Sequence, residues 1–200
     1  MYEANADSYA EMMDKEIELP IYREMLGRLH ENIKNIPGAI LDTACGSGHM
    51  LDLFRSNFDS SRSLIGMDIS PSMVAISKNR IGKDCLVFVG DMRSLPDLQS
   101  AKVAGVINFF AVHHIDLDGI NQAMNEWSRV LVRNGRLILA AWEGSGAIDY
   151  GEESDVIALR YTRDELSDVA VQAGLHVTRC SVEPVEGIPM DAIYLECTKG

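Results

Sequence analysis

Ile40-Leu41-Asp42-Thr43-Ala44-Cys45-Gly46-Ser47-Gly48-His49-Met50 is the stretch on which the reading of the whole chain turns. An apolar run closes on an acid, and small residues follow at 44, 46 and 48. That order predicts a buried strand turning sharply into a helix. A side chain at Gly46 or Gly48 would fill the space through which a ligand approaches the backbone, and glycine tolerates the dihedrals of such a turn. Free amides at the start of the following helix then face that ligand. A nucleoside cofactor is the expected occupant. Taken alone, the segment also fits an ordinary strand-to-helix turn, so its context has to decide.

Outward from this turn, short apolar runs alternate with helix-like patterns. The runs are Ala39 to Thr43, Ser63 to Met67, Leu86 to Val89, Val103 to Phe110, Arg136 to Ala141, Val177 to Val182 and Ala192 to Cys197. Most are nearly continuous in Val, Ile and Leu, the pattern of strands covered on both faces. A mainly parallel sheet between helix layers follows. Ser70-Pro71 sets a capping residue before a proline at a first helical position. Thr162 stands three residues before Glu165, a capping-box spacing that opens a helix over Asp164 to Ala173 with Gly174 as its stop. Ile120, Met124, Trp127 and Leu131 share one face of a helix within 116–131 and read as core. Ahead of the first strand, Ile21, Met25, Leu29 and Ile33 recur at helical spacing until Pro37-Gly38.

The chain has 200 residues and 46% hydrophobic content, enough for one good core. It reads as a single domain: a helical cap over 1–36, a ligand-binding core over 37–142, and over 143–200 an insertion followed by a helix and strands. No apolar stretch approaches the ~20 residues of a membrane span. The acidic start, with Glu3, Asp7 and Glu11, does not resemble a secretion signal, so a cytoplasmic location is the default expectation. Cys45, Cys85, Cys180 and Cys197 are widely spaced and form no CxxC pair, so no metal site is expected. A formal net charge of −12 would repel a phosphate backbone and disfavours a nucleic-acid substrate.

Three more segments fall at the carboxyl ends of successive strands, where open α/β sheets bind ligands. Asp68, after the second strand, is placed to accept from a ribose diol. Asp91, after the third, is placed to accept from an adenine amino group. Phe109-Phe110-Ala111-Val112-His113-His114 follows the fourth. Turn-stabilising acids at strand ends are the plainer account of Asp68 and Asp91.

Together these segments resemble the class I S-adenosylmethionine-dependent methyltransferases, in the small-molecule-modifying branch related to ubiquinone and menaquinone methyltransferases. Asp42, Ala44, Cys45, Gly46 and Gly48 match the family's acid and G-C-G-x-G. Gly66 to Met73 matches G-x-D-x-S-x-x-M, Gly90 to Pro96 matches G-D-x-x-x-L-P, and Val112 to Ile115 matches L-H-H-[LI]. Glu126 to Leu131 resembles E-x-x-R-V-L. Ala44 replaces a glycine, Ala104 stands where an acid is common, and Arg133-Asn134 where proline and glycine are usual.

The resemblance implies a Rossmann-like, doubly wound α/β sheet of seven strands, mostly parallel with the last antiparallel, plus the N-terminal helical extension. It implies S-adenosylmethionine as methyl donor and S-adenosylhomocysteine as product. By the same resemblance Asp42 and the Ala44–Gly48 backbone lie near the methionyl part, and Asp68 on the ribose hydroxyls. Ile69, Met73 and Met92 lie against adenine, Asp91 at its amino group and Phe109 beneath the sulfonium.

In-line displacement of the methyl group needs mainly alignment of the partners. If a base is used, His113 and His114 are the candidates, His114 preferred by analogy; His49 reads as a helix-start residue. Tyr9 is expected to close the site over the cofactor. Trp142, Glu143 and Tyr150 are expected to line the pocket of a small-molecule acceptor. Two alternatives remain: a non-catalytic S-adenosylmethionine-binding or regulatory module, and a NAD(P)-dependent oxidoreductase. The latter's G-x-G-x-x-G/A is not matched, and its pyrophosphate would be repelled by Asp42.

Overall fold

The computed structural model describes residues 6–82, 85–148 and 158–200, without the side chains at 6, 7 and 9. Its strands are β1 (Ala39–Asp42), β2 (Leu64–Asp68), β3 (Leu86–Val89), β4 (Val103–Phe109), β5 (Leu131–Trp142), β6 (Ala147–Ile148), β7 (Ala158–Leu159), β8 (Leu175–Pro184) and β9 (Asp191–Lys199). Its helices are α1 (Ala6–Glu16), α2 (Pro20–Ile33), α3 (His49–Asn57), α4 (Pro71–Ile81), α5 (Leu117–Val130) and α6 (Arg163–Gln172).

Seven strands form one sheet in the order β3-β2-β1-β4-β5-β9-β8, and β6 pairs with β7 in a small hairpin. Strands β1 to β5 pair in parallel. Only β9 is reversed, antiparallel to both β5 and β8. The seven-stranded, mostly parallel sheet with its last strand antiparallel is therefore present as expected.

Alternation along the strands divides the core into two layers. Leu41, Val106, Leu137 and Leu139 point toward α5 and α6, where they meet Ile120, Met124, Trp127 and Leu166. Their neighbours Ile40, Ile107, Ile138 and Ala140 point toward α2 and α3, where they meet Met25, Leu29, Leu51 and Phe54. Burial on both faces is why these strands lack a polar side. The α2 stripe at Met25, Leu29 and Ile33 is buried as its spacing predicts, with Ile21 half-buried at its edge.

The predicted caps form. Ser70 Oγ accepts from the Met73 amide at 3.3 Å, and Thr162 with Glu165 makes a complete capping box. One boundary differs: β5 begins at Leu131, not Arg136. Leu131 pairs with Val103 and Arg136 with Gly105, so the residues between them bulge out of register. Asn134 takes φ +62 there, the left-handed conformation that asparagine tolerates better than most residues. It does the work usual for the glycine it replaces.

Candidate active site

Parallel pairing brings the carboxyl ends of β1, β2 and β4 together on one edge of the sheet, with Asp42 beside both Gly66 and Ile107. The chain leaves β1 through a tight loop in which the Cys45 amide donates to Met67 O at 2.8 Å and the Gly48 amide to Cys45 O at 2.8 Å. Gly46 and Gly48 take φ +51 and +89. Gly48 caps α3 in the left-handed region, and a Cβ there would lie 2.7 Å from Ser77 Oγ. The loop thus needs glycine for its backbone and for its packing against α4.

Asp68 bridges this loop to the next. Its Oδ2 accepts from the Gly46 amide at 2.8 Å and its Oδ1 from the Ser70 amide at 2.9 Å. The Ile69 amide acts on the same carboxylate, whose roughly four acceptor positions still leave room for a ligand hydroxyl. Burial raises its pKa, against the pull of those amides. Asp91 is engaged differently. Arg93 donates to both of its oxygens, at 3.0 and 2.6 Å, and holds its carboxyl below the ordinary range. The Glu126 and Arg129 pair in α5 anchors the segment that follows. Glu126 accepts from the Leu95 amide at 2.8 Å, while Arg129 donates to Leu95 O at 2.9 Å and Leu98 O at 2.8 Å. The E-x-x-R pattern is a strap for the loop that carries Asp91 and Met92.

Two cavities meet at the loop and share Ala44, Gly46, Phe109 and Phe110 as lining. The first, about 240 Å³, is bounded also by Asp42, Cys45, His49, His113 and Trp142 and by residues of α1 and α2. The second, about 280 Å³, is bounded by Asp68, Ile69, Met73, Asp91, Met92 and His114. Met73 is buried, whereas Ile69 is 72% exposed, an apolar surface open to a planar ligand. The sequence-predicted residues therefore collect around two joined compartments.

Asp42 is buried at the floor of the first cavity, where it accepts from the Ala44 amide at 3.3 Å. Burial pushes its pKa from 3.8 up to about 7, and the neighbouring Asp68 adds to the rise. The ionised carboxylate is then a cost to the ligand-free fold. That cost is fully present above pH 7, shrinks as pH falls, and is gone below the unfolded value of 3.8. Asp42→Asn is expected to raise the ligand-free Tm at pH 8 by roughly 5 °C, with the gain fading toward pH 4. Calorimetric scans of both proteins at the two pH values check this.

Adjacent histidines separate between the compartments. They sit on a 3-10 turn, Val112–His114, with ring centroids 4.0 Å apart. His113 is buried and lines the first cavity; His114 is exposed and lines the second. Burial, helped by His114, pushes His113 down to about 3, so it is uncharged near neutral pH. Its Nδ1 is buried without a hydrogen-bond partner among the described residues. His113 thus shares the first cavity with Asp42, and His114 shares the second with Asp68 and Asp91.

α1 is fastened to the loop through one carboxylate. Asp14 Oδ1 accepts from His49 Nε2 at 3.0 Å and from Arg80 at 2.8 Å. Arg80 Nε also donates to Ser47 O at 3.0 Å, and Ser47 Oγ lies 2.5 Å from His49 Nδ1. His49 is consequently more than a helix-start residue: it is buried and lines the first cavity. Arg80→Ala removes its contacts to Asp14 and to Ser47 O and leaves the His49 contact to Asp14 in place. Because Arg80 and Asp14 are partly solvated, the expected loss is only ~1 kcal/mol. Amide exchange in α1 should accelerate severalfold while exchange in β1 stays unchanged.

Of the remaining expected residues, Trp142 lines the first cavity and stacks on Phe110 at 4.6 Å. Glu143 lines neither cavity; its amide donates to Asp191 O at 2.9 Å. Tyr150 and the side chain of Tyr9 lie outside the described residues. Sequence reasoning overlooked Glu16, Tyr22 and Phe110. Tyr22 carried no motif signal, and its hydroxyl donates to Glu16. Phe110 takes φ +48, a conformation uncommon for bulky residues and frequent at functional sites.

Among the described residues no group of His, Cys, Asp and Glu is placed to hold a metal ion, and no helix is long and apolar enough to cross a membrane. Residues 40–135 match the methyltransferase domain family. A human protein, "Probable tRNA methyltransferase 9B", is 26% identical over 159 residues, 78% of this chain. The chain spans about a third of that relative's length, 31%. Among solved structures, a Haloferax volcanii methyltransferase in complex with the Trm112 methyltransferase activator is 19% identical with TM-score 0.79, covering 98% of this chain and 95% of that one. Burkholderia thailandensis 1,6-didemethyltoxoflavin-N1-methyltransferase, with its substrate and S-adenosylhomocysteine bound, is 17% identical with TM-score 0.74, covering 96% and 84%. These likenesses carry the fold, and the family match covers the stretch from β1 to the start of β5. Residues 40–135 thus match a methyltransferase domain, and they lie in a fold shared with solved methyltransferases.

Proposed function

We propose that this chain transfers the methyl group of S-adenosylmethionine to a small-molecule acceptor in the cytoplasm. The observation that carries this reading is the pair of joined cavities with three carboxylates spaced along them, Asp42 in the first and Asp68 and Asp91 in the second. The residues fit the cofactor's chemistry. Asp68 has lone pairs for a ribose diol, Ile69, Met73 and Met92 offer apolar surface to a purine, and the Ala44–Gly48 loop leaves room for a ligand against its backbone. Asp91 is assigned to the purine amino group, which has to share it with Arg93. Asp42 is assigned to the ammonium of the methionyl part, whose charge would favour the ionised carboxylate that burial disfavours.

Bound S-adenosylmethionine supplies a methyl group already activated on a sulfonium. The chain's share is alignment and exclusion of water. Phe109 and Phe110, common to both cavities, are assigned to the junction where the reacting atoms meet. Such placement is worth ~7 to 11 kcal/mol in favourable intramolecular cases. His113, uncharged, is suited to accept a hydrogen bond from the acceptor and is a weak base. Tyr9 is assigned to closure over the cofactor from α1.

S-adenosylhomocysteine at a hundred times its Kd should stabilise the protein by about 2.7 kcal/mol, while NAD should not. Stabilisation by NAD alone would overturn the reading. Tight binding without turnover over a broad acceptor panel would favour a regulatory module. A second acceptor class, tRNA, is supported by the name of the human relative and opposed by the net charge of −12. Incubation with bulk tRNA and labelled donor separates the two.

A further inference from the structure

Tyr22, Phe109, Phe110 and Trp142 form a connected series of rings lining the first cavity. Tyr22 and Phe109 lie 5.6 Å apart, Phe109 and Phe110 meet edge-on at 6.4 Å, and Phe110 and Trp142 lie 4.6 Å apart. Glu16 lines the same cavity and accepts from the Tyr22 hydroxyl, which fixes its carboxylate beside the rings. Asp42 also lines it, as the group assigned above to the methionyl ammonium. Among the described residues no lysine or arginine lines this cavity. Its two histidines, His49 and His113, are both shifted by burial toward the uncharged form.

This composition selects among acceptors. Beside Glu16 and the rings, an anionic carboxylate, phosphate or phenolate acceptor would meet aromatic π-faces and a carboxylate, with no lysine or arginine of the lining to pair with it. A cation finds both partners it prefers, a ring face and a carboxylate.

We propose that the first cavity binds a small primary or secondary amine as methyl acceptor, its nitrogen held between the Phe110 and Trp142 rings on one side and Glu16 on the other. This inference rests on the methyl-transfer reading above. The ammonium first gives a proton to water; the neutral amine's lone pair then forms the N–C bond as the C–S bond breaks, and that bond's electron pair passes to sulfur. Sulfur becomes a neutral thioether and nitrogen an ammonium, which loses its proton to water after release. Positive charge thus moves onto the nitrogen during the reaction, and the rings and Glu16 stabilise it more as it grows.

The test begins with calorimetric titration of S-adenosylhomocysteine into the whole chain. With that ligand saturating, choline and its uncharged isostere 3,3-dimethylbutan-1-ol are compared as probes of charge recognition. Choline is expected to bind at least tenfold more tightly. Trp142→Ala should remove at least tenfold of the choline affinity and Glu16→Gln severalfold, with S-adenosylhomocysteine titrated into each variant as the folding control. In turnover, labelled methyl is expected on N-methylbenzylamine and not on benzoate or 4-methylphenol. Equal binding of the two probes, or label on the phenol or carboxylate, overturns the amine assignment; label only on a lysine peptide overturns the assignment to a small acceptor. Failure of S-adenosylhomocysteine to bind the unmodified chain instead overturns the methyl-transfer reading, and the inference with it.

Discussion

Gly48→Val is expected to lower S-adenosylhomocysteine affinity by at least a hundredfold while leaving the circular dichroism spectrum of the fold in place. Gly48 sits at φ +89, where a β-branched residue is strained by ~1 to 3 kcal/mol. A Cβ at this position would lie 2.7 Å from Ser77 Oγ and 3.3 Å from Ser77 Cα, so α4 itself stands in the way. The chain can relieve both problems only by rebuilding the loop. That loop holds the Gly46 amide on Asp68 and the Cys45 amide on Met67 O, so moving it disturbs both cavities. Isothermal titration reports the outcome; binding within threefold of the unmodified chain would show that the loop does not shape the ligand site.

Trp127→Ala should be the most damaging single core substitution. Trp127 is fully buried on the inner face of α5, among the largest side chains of its layer. Truncation of a buried tryptophan to alanine typically costs ~3 to 5 kcal/mol, against a total stability of about 5 to 15. For a chain of this size that corresponds to a fall in Tm of roughly 6 to 20 °C. The indole Nε1 has no hydrogen-bond partner, so the loss is one of packing. Trp127→Phe, which keeps a ring in the same space, should therefore lose less than half as much. An equal loss in the two variants would count against a packing role.

The parts of the fold readable from sequence are those fixed by local rules. Ile40 to Gly48 carried a strand, its end and the turn in one segment. The continuous apolar runs carried the two-faced burial that a layered sheet needs. Ser70 and Thr162 announced their helices because capping depends on residues only a turn apart.

What escaped were properties that arise when distant elements meet. Nothing local marks Phe110 for φ +48, because the tertiary framework imposes it. Glu16 and Tyr22 belong to the first cavity only because α1 and α2 fold back against the carboxyl edge of the sheet. His49 reads as the first residue of a helix, which it is, yet its partners Ala10 and Asp14 lie far away in sequence. Likewise, two neighbouring histidines look equivalent until the turn that holds them sends one to each compartment.

The single reversed strand has a consequence for the order in which the molecule can be completed. β9 lies between β5 and β8 and is hydrogen-bonded to both, whereas β8 has no other neighbour in the sheet. As the chain emerges during synthesis, β5 is left as an open edge and β8 as an unattached ribbon until residues 191–199 arrive. Those few residues insert as a wedge that seals one strand and recruits the other. A stop codon placed before Asp191 would thus release two strands from the sheet and leave a growing edge of unpaired amides and carbonyls, a template for self-association.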